Sequence, residues 1–254
     1  MDPLAWRAKV GLITTSGQVV TEPRYYALAP DGVSFHTSRM LNPGTGLEGI
    51  VEMERNAGRA VEELSTAGVD AIAYCCTVSG ALRGIDADRA FCQDVEERWG
   101  IPMTSTMLAC VEALGHLGAK RVVVTSPYPH DRHEAEQAYL EAGGIEVLGI
   151  HGMGLAGGRA NAAVPPTEIE RFCIEHWDER ANALFVSCMN FDAIAVAEAL
   201  EDRLGVPVVT SHTATLWRAL ALAGIEDPIA GTGRLLAERR ETAHAAPSAS
   251  GSAR

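Results

Sequence analysis

The sequence predicts an α/β fold of two similar lobes, each built on a mainly parallel sheet flanked by helices. Three observations predict it. Short apolar runs rich in Val, Ile and Ala alternate with helical patterns along the chain, the order expected of parallel strands joined by crossover helices. Segments of the first half recur in the same order in the second. Two apolar runs, Val69 to Tyr74 and Ala183 to Val186, end alike, in cysteine and then small or polar residues.

Lys9 to Ile13 forms a first strand, ending in the small polar stretch Thr14 to Gly17. Thr21 to Arg24 opens a helix, with Pro23 limiting its start. Val33 to His36 is a short second strand, followed by Thr37, Ser38 and Arg39. From Leu47 to Ala67 apolar residues fall at helical spacing (Ile50, Met53, Ala57, Ala60, Val61, Leu64), and Gly68 closes that helix. Val69 to Tyr74 is a buried strand running into a loop at Cys76. Asp86 to Trp99 is a helix closed by Gly100, Ile101 to Ser105 a short strand, and Thr106 to Leu117 a helix. Lys120 to Ser126 is the clearest strand of the chain. His130 to Ala142 is a helix stopped by Gly143 and Gly144, and Ile145 to Ile150 a strand. A Gly-rich loop follows. Thr167 to Asp178 is helical, with Thr167 and Glu170 at the capping-box spacing. After the Cys188 strand come a helix from Asp192 to Leu204, a strand from Val206 to Thr210, and a helix from His212 to Ala223. Residues 243–254 are small and polar and are read as a disordered tail.

The stretch from Gly100, Ile101 and Pro102 to Leu114 resembles that from Gly205, Val206 and Pro207 to Leu220, with a one-residue offset. Lys9 to Gly17 resembles Lys120 to Tyr128. The two cysteine strands fall between these matched pairs. Chance similarity of two βα units is the plain alternative, but three paired segments in one order favour a duplication. The lobes are then two pseudo-symmetric, Rossmann-like units, residues 1–104 plus 211–242 and residues 105–210. Corresponding strand ends would face each other, and ligands bind outside the carboxyl ends of such strands. The site is therefore expected in the interlobe cleft, with one cysteine from each lobe.

The chain has 254 residues and a net charge of −12, with a pI of about 5.1. That argues against a nucleic-acid or anionic-membrane partner. It leaves open a small anionic substrate, which backbone N–H groups can bind. There is no signal-like leader and no apolar run of membrane-spanning length. The six cysteines form no paired CxxC motif, so neither a zinc site nor a disulfide framework is indicated. A cytoplasmic location with free thiols is expected. The glycines at 152–158 do not form a dinucleotide fingerprint, and no cofactor is expected.

A thiol attacks only as thiolate, and a loop entering a helix N-terminus both favours the thiolate and binds carboxylates. Both cysteine loops are expected to offer that setting. Two thiols in one site could exchange protons on opposite faces of a carbon acid. Alternatively, one could add to a double bond while the other handles the proton. Free cysteines usually just pack, which is the reading for Cys75, Cys92, Cys110 and Cys173. In an alternating strand Cys75 points opposite to Cys76. Cys76 and Cys188 occupy matched positions and are the catalytic candidates. Tyr128 could hydrogen-bond a carboxylate or cap a loop. His212, at a helix start, is a site candidate or a cap neighbour. Arg39 could pair with a carboxylate bidentately or form an interlobe ion pair.

Tyr74-Cys75-Cys76-Thr77, Phe35 to Met40, Ser126-Pro127-Tyr128, Ser187-Cys188, and Gly205-Val206-Pro207 with Trp217 together resemble the aspartate/glutamate racemase superfamily, in its maleate cis–trans isomerase and arylmalonate decarboxylase branch. The resemblance runs from about Val10 to Leu236. It implies two α/β lobes around a cofactor-free site for a small carboxylate, and a homodimer. It also implies that Cys76 adds to the double bond of maleate while Cys188 serves as the opposing acid and base. Substrate contacts would come from Ser16, Thr77, Val78, Tyr128, Met189 and His212. The isomerases carry both cysteines, whereas the decarboxylase has glycine where this chain has Cys76. Isomerases have substrate-contacting asparagines at the positions of Ser16 and near Gly154, where this chain departs. The resemblance thus implies an isomerase of a small dicarboxylate. A racemase or decarboxylase of a small carbon acid is the second reading, and a carboxylate-binding protein without chemistry the third.

Overall fold

The computed structural model describes residues 4–44 and 46–238. The tail expected at 243–254 lies outside them. Four strands, β1 (Ala8–Thr15), β2 (Val33–Met40), β3 (Ala71–Cys75) and β4 (Met103–Ser105), form one sheet in the order β2-β1-β3-β4. Four more, β5 (Arg121–Ser126), β6 (Glu146–Gly152), β7 (Ala183–Val186) and β8 (Val208–Thr210), form a second in the order β6-β5-β7-β8. Every pairing is parallel. The second sheet thus repeats the first strand for strand, and the paired sequence segments fall on β1 and β5, β3 and β7, β4 and β8.

Burial explains the strand sequences. β3 and β7, paired on both sides, and the short end strands β4 and β8 are all buried throughout, as parallel strands covered on both faces must be. On β1 and β3 the side chains divide between two cores. Val10, Leu12, Ala73 and Cys75 pack with Leu216 and Leu220 of the Ser211–Leu222 helix, while Ile13, Ile72, Tyr74 and Cys76 face the larger core shared with the second sheet. Cys75 and Cys76 therefore point in opposite directions, as strand alternation requires.

Several boundaries differ from expectation for local reasons. β2 continues to Met40 because it stays paired with β1 up to Thr15. The helix expected over Leu47 to Ala67 is two, Leu47–Glu54 and Ala57–Thr66. Asn56, a residue that competes with the helix backbone, begins the second. The Asp192 to Leu204 segment starts as a 3-10 turn, Ala193–Val196, before the Ala197–Leu204 helix. The capping box at Thr167 does not form. That helix is Pro166–Glu175, with Pro165 at its N-cap and no side-chain cap, and proline at the first turn sets the helical φ in advance. The Gly-rich stretch contains an unforeseen short helix, Gly158–Ala162. Among the described residues no helix is long and apolar enough to cross a membrane.

Candidate active site

A cavity of about 470 Å³ lies at the carboxyl ends of β1, β3, β5 and β7. Both Cys76 and Cys188 line it, with Thr15 to Gln18, Thr77, Val78, Tyr128, Asn161, Met189 and Asn190. Of the expected site residues, Cys76, Cys188, Ser16, Thr77, Val78, Tyr128 and Met189 are in the lining, and His212 is not. Among the described residues no Asp, Glu or His lines it. Among the described residues no group of His, Cys, Asp and Glu could hold a metal ion.

The two thiols sit on different backbones. β3 ends at Cys75, and Cys76 is the extended N-cap residue of the Thr77–Arg83 helix, with no intervening loop. The Ser79 hydroxyl donates to Cys76 Sγ at 3.0 Å. Burial raises the Cys76 thiol, while hydrogen bonds from Ser79 and the Arg83 cation pull it back. At Cys188 the expected strand-to-helix entry is absent. β7 ends at Val186, and Cys188 takes a φ of 106°, a conformation that costs a non-glycine residue about 1–3 kcal/mol. Its Sγ accepts from the Asn190 N–H at 3.3 Å and from Asn161 Nδ2 at 3.8 Å. Burial and a thiolate at Cys76 push the Cys188 thiol up to about 11, against hydrogen bonds from Tyr128 and the Asn190 N–H that pull it down. The environments thus favour one charge at a time, with the proton retained at Cys188. The remaining thiols are buried, and burial, helped by neighbouring carboxylates, pushes Cys92 and Cys173 up to about 12.

Tyr128 is held over the site by a close approach. The Tyr128 N–H donates to Ser126 Oγ at 3.2 Å, and the Arg132 guanidinium lies 5.3 Å from its ring centroid. Only glycine fits at 152 beside it, since a Cβ there would come within 2.1 Å of the Tyr128 carbonyl oxygen. Ser16 Oγ accepts from the Asn42 N–H at 3.0 Å. Arg39 resolves as a clamp: it donates to the Ser16 and Gln18 carbonyls at 3.1 and 3.0 Å and pairs with Glu22. It does not line the cavity.

His212 corrects the expectation. It is fully buried behind Met189, its Nε2 is 3.3 Å from Thr21 Oγ1, and its carbonyl accepts from the Tyr25 hydroxyl at 2.8 Å. Burial lowers its pKa to about 4. The folded protein keeps it neutral while the unfolded chain protonates it near 6.5, so its contribution is intact above pH 6.5 and is lost as pH falls towards 4. The stability gap between wild type and His212→Gln is expected to narrow by about 3 kcal/mol over that interval. Denaturant melts at pH 7 and pH 4.5 measure it, and a gap independent of pH would refute the assignment.

Four further residues hold the site together. Asn161, on the Gly158–Ala162 helix, reaches Cys188 while its Oδ1 has no protein partner. An amide side chain is therefore present in the cavity, seven residues beyond Gly154, near which the isomerases' asparagine is expected to be missing from this chain. Ser211 Oγ accepts from the Cys188 N–H at 3.0 Å and meets Thr77 Oγ1 at 3.1 Å, tying the two cysteine segments together. Gln18 Nε2 donates to the carbonyls of Cys75 and Met189 at 3.2 and 3.0 Å. Asn190 Nδ2 donates to Gly17 and Gly158 carbonyls at 3.2 and 2.8 Å. Lone hydroxyl and amide residues carry no pattern a sequence can display.

A family model described as arylmalonate decarboxylase matches residues 10–236. The chain belongs to that family. It sits in the maleate isomerase and arylmalonate decarboxylase branch of the aspartate/glutamate racemase superfamily. It is 26% identical to a maleate isomerase of Nocardia farcinica over 238 residues, covering 90% of this chain and 95% of that protein. It is 26% identical to an arylmalonate decarboxylase of Bordetella bronchiseptica over 181 residues, 70% of this chain and 74% of that one. Its fold matches the crystal structure of a Pseudomonas putida S16 maleate isomerase cysteine-to-alanine variant with maleate, with a TM-score of 0.86 at 25% identity, covering 91% of this chain and 97% of the other. It matches equally the Nocardia farcinica isomerase, as a cysteine-to-serine mutant with a covalently bound succinylcysteine intermediate, at a TM-score of 0.85 and 26% identity, covering 91% and 98%.

Proposed function

We propose that this protein is a cofactor-independent cis–trans isomerase of a small unsaturated dicarboxylate of the maleate type. One observation carries the reading: two unequal thiols line a single cavity in which, among the described residues, no carboxylate or imidazole accompanies them. Cys76, as thiolate, adds to one alkene carbon. The C–S bond forms and the π pair moves to the neighbouring carbon and its carboxylate. Cys188 gives that carbon its proton. The former double bond, now single, rotates. Cys188 takes the proton back, the C–S bond breaks, and the trans alkene leaves with Cys76 restored. Backbone N–H groups of Thr77 and Val78, with Tyr128 and Asn161, bind carboxylate oxygens, and Ser16 and Met189 shape the wall. The succinylcysteine of the Nocardia farcinica structure supports the covalent step.

Decarboxylation is the second reading, favoured by the family model. It needs one thiol to protonate a carbanion and gives Cys76 no part. The protein is further proposed to be a cytoplasmic homodimer whose lobes comprise 1–104 plus 211–242 and 105–210, a division supported by the Ser211–Leu222 helix packing on β3 and β4. Proton NMR of the purified protein with maleate in buffered D2O under reducing conditions tests the activity. The fumarate signal is expected to grow as that of maleate falls. Absence of conversion alongside release of CO2 from an arylmalonate would replace the isomerase reading with the decarboxylase one.

A further inference from the structure

Among the described residues the only charged side chains lining the cavity are Arg132 and Arg159, in a chain of net charge −12. Arg132 is committed to Tyr128, over whose ring it lies. Arg159 differs from both Arg132 and the other arginines. Most of those pair with Asp or Glu, as Arg7, Arg24, Arg39 and Arg83 do. Among the described residues Arg159 has no ion pair and no side-chain hydrogen bond, although it is exposed at the cavity in an acidic protein.

Its position is built rather than incidental. Gly157 takes a φ of 92°, and a Cβ on Gly158 would lie 3.1 Å from Asn190 Nδ2 and 3.5 Å from the Gly17 oxygen. These glycines let the Gly158–Ala162 helix lie against the Gly17 loop, where Asn190 holds both backbones and accepts from the Val19 N–H at 2.9 Å. The same helix sends Asn161 inward to Cys188 and leaves Arg159 towards solvent. The cavity, at about 470 Å³, falls within the range of about 300–1,000 Å³ that encloses drug-sized ligands. A four-carbon diacid held at the two thiols leaves much of it empty.

We infer that Arg159 is a specificity-determining residue, and that the preferred substrate is a cis-unsaturated dicarboxylate larger than maleate whose substituent ends in a further carboxylate paired with Arg159. This rests on the isomerase reading. The reacting carbons stay at Cys76 and Cys188, the two vicinal carboxylates at the Thr77–Val78 turn, Tyr128 and Asn161, and the third at the mouth. A guanidinium can take that carboxylate bidentately.

The test uses two probes, maleate and cis-aconitate, which is maleate carrying a carboxymethyl group, with wild type, Arg159→Gln and Arg159→Lys. Wild type is expected to isomerise cis-aconitate with the higher kcat/KM. Arg159→Gln is expected to lose at least roughly 10-fold more on cis-aconitate than on maleate, mainly in KM, as befits a lost charged hydrogen bond, with partial recovery in Arg159→Lys. Conversion of maleate without cis-aconitate, or an equal loss on both probes, overturns the inference and leaves the isomerase standing. Conversion of neither removes the isomerase reading and the inference with it.

Discussion

Serine at position 76 is expected to lower kcat for maleate by roughly a thousandfold or more, the scale of losing a covalent nucleophile. A hydroxyl ionises far less readily than a thiol, and among the described residues no His, Asp or Glu is in the lining to help it. Cys188→Ser is expected to be as slow overall but to fail differently. Cys76 can still add to the alkene, so the adduct should persist as a mass gain of one maleic acid on the intact protein. Cys76→Ser should show no such gain. Serine is little larger or smaller than cysteine and inherits the same φ of 106° at position 188, so both variants should melt close to wild type. Near-normal turnover in either variant would refute the two-thiol mechanism, and an adduct in Cys76→Ser would move the nucleophile elsewhere.

The architecture was legible because its causes are local and repeated. Strands buried on both faces are apolar throughout, and a duplicated βα order doubles the evidence for each element. The opposite orientations of Cys75 and Cys76 followed from strand alternation alone. Pairing Cys76 with Cys188 followed from their matched places in the repeat. The inequality of those two cysteines was not legible. The repeat predicts equivalent strand-to-helix entries, but after β7 the chain makes a turn with positive φ and enters a helix only later. Nor could Ser211, Gln18 or Asn161 be picked out. Each acts through hydrogen bonds to residues at least 23 positions away, and nothing local marks such a residue. His212 illustrates the converse: a histidine at a helix start looks available, yet the packing of Met189, Thr21 and Tyr25 closes it off.

Asp88 is a buried stability determinant that the sequence does not mark. On the Ile85–Trp99 helix it looks like an ordinary acidic first-turn residue, favourable to the helix dipole and solvated. In the fold it is completely buried. It accepts hydrogen bonds from the Tyr139 hydroxyl at 2.7 Å, from Ser105 and from Arg83, and Arg83 in turn pairs with Glu54 at 2.5 Å. Glu54 accepts from Tyr74, two residues before Cys76, and Arg83 stacks 4.3 Å from the Phe91 ring centroid. The carboxylate therefore joins the Ile85–Trp99 helix to the His133–Ala142 helix behind Cys76. Removing one member of a buried ion pair strands the others, at a cost of about 3–5 kcal/mol. Asp88→Ala is expected to lose that much in urea unfolding and, for a chain of this size, about 10 °C in Tm. Asp88→Asn keeps an acceptor for Tyr139 and Ser105 and should lose clearly less. A loss under about 1 kcal/mol in Asp88→Ala would show that Arg83 and Tyr139 find water or other partners when Asp88 is gone.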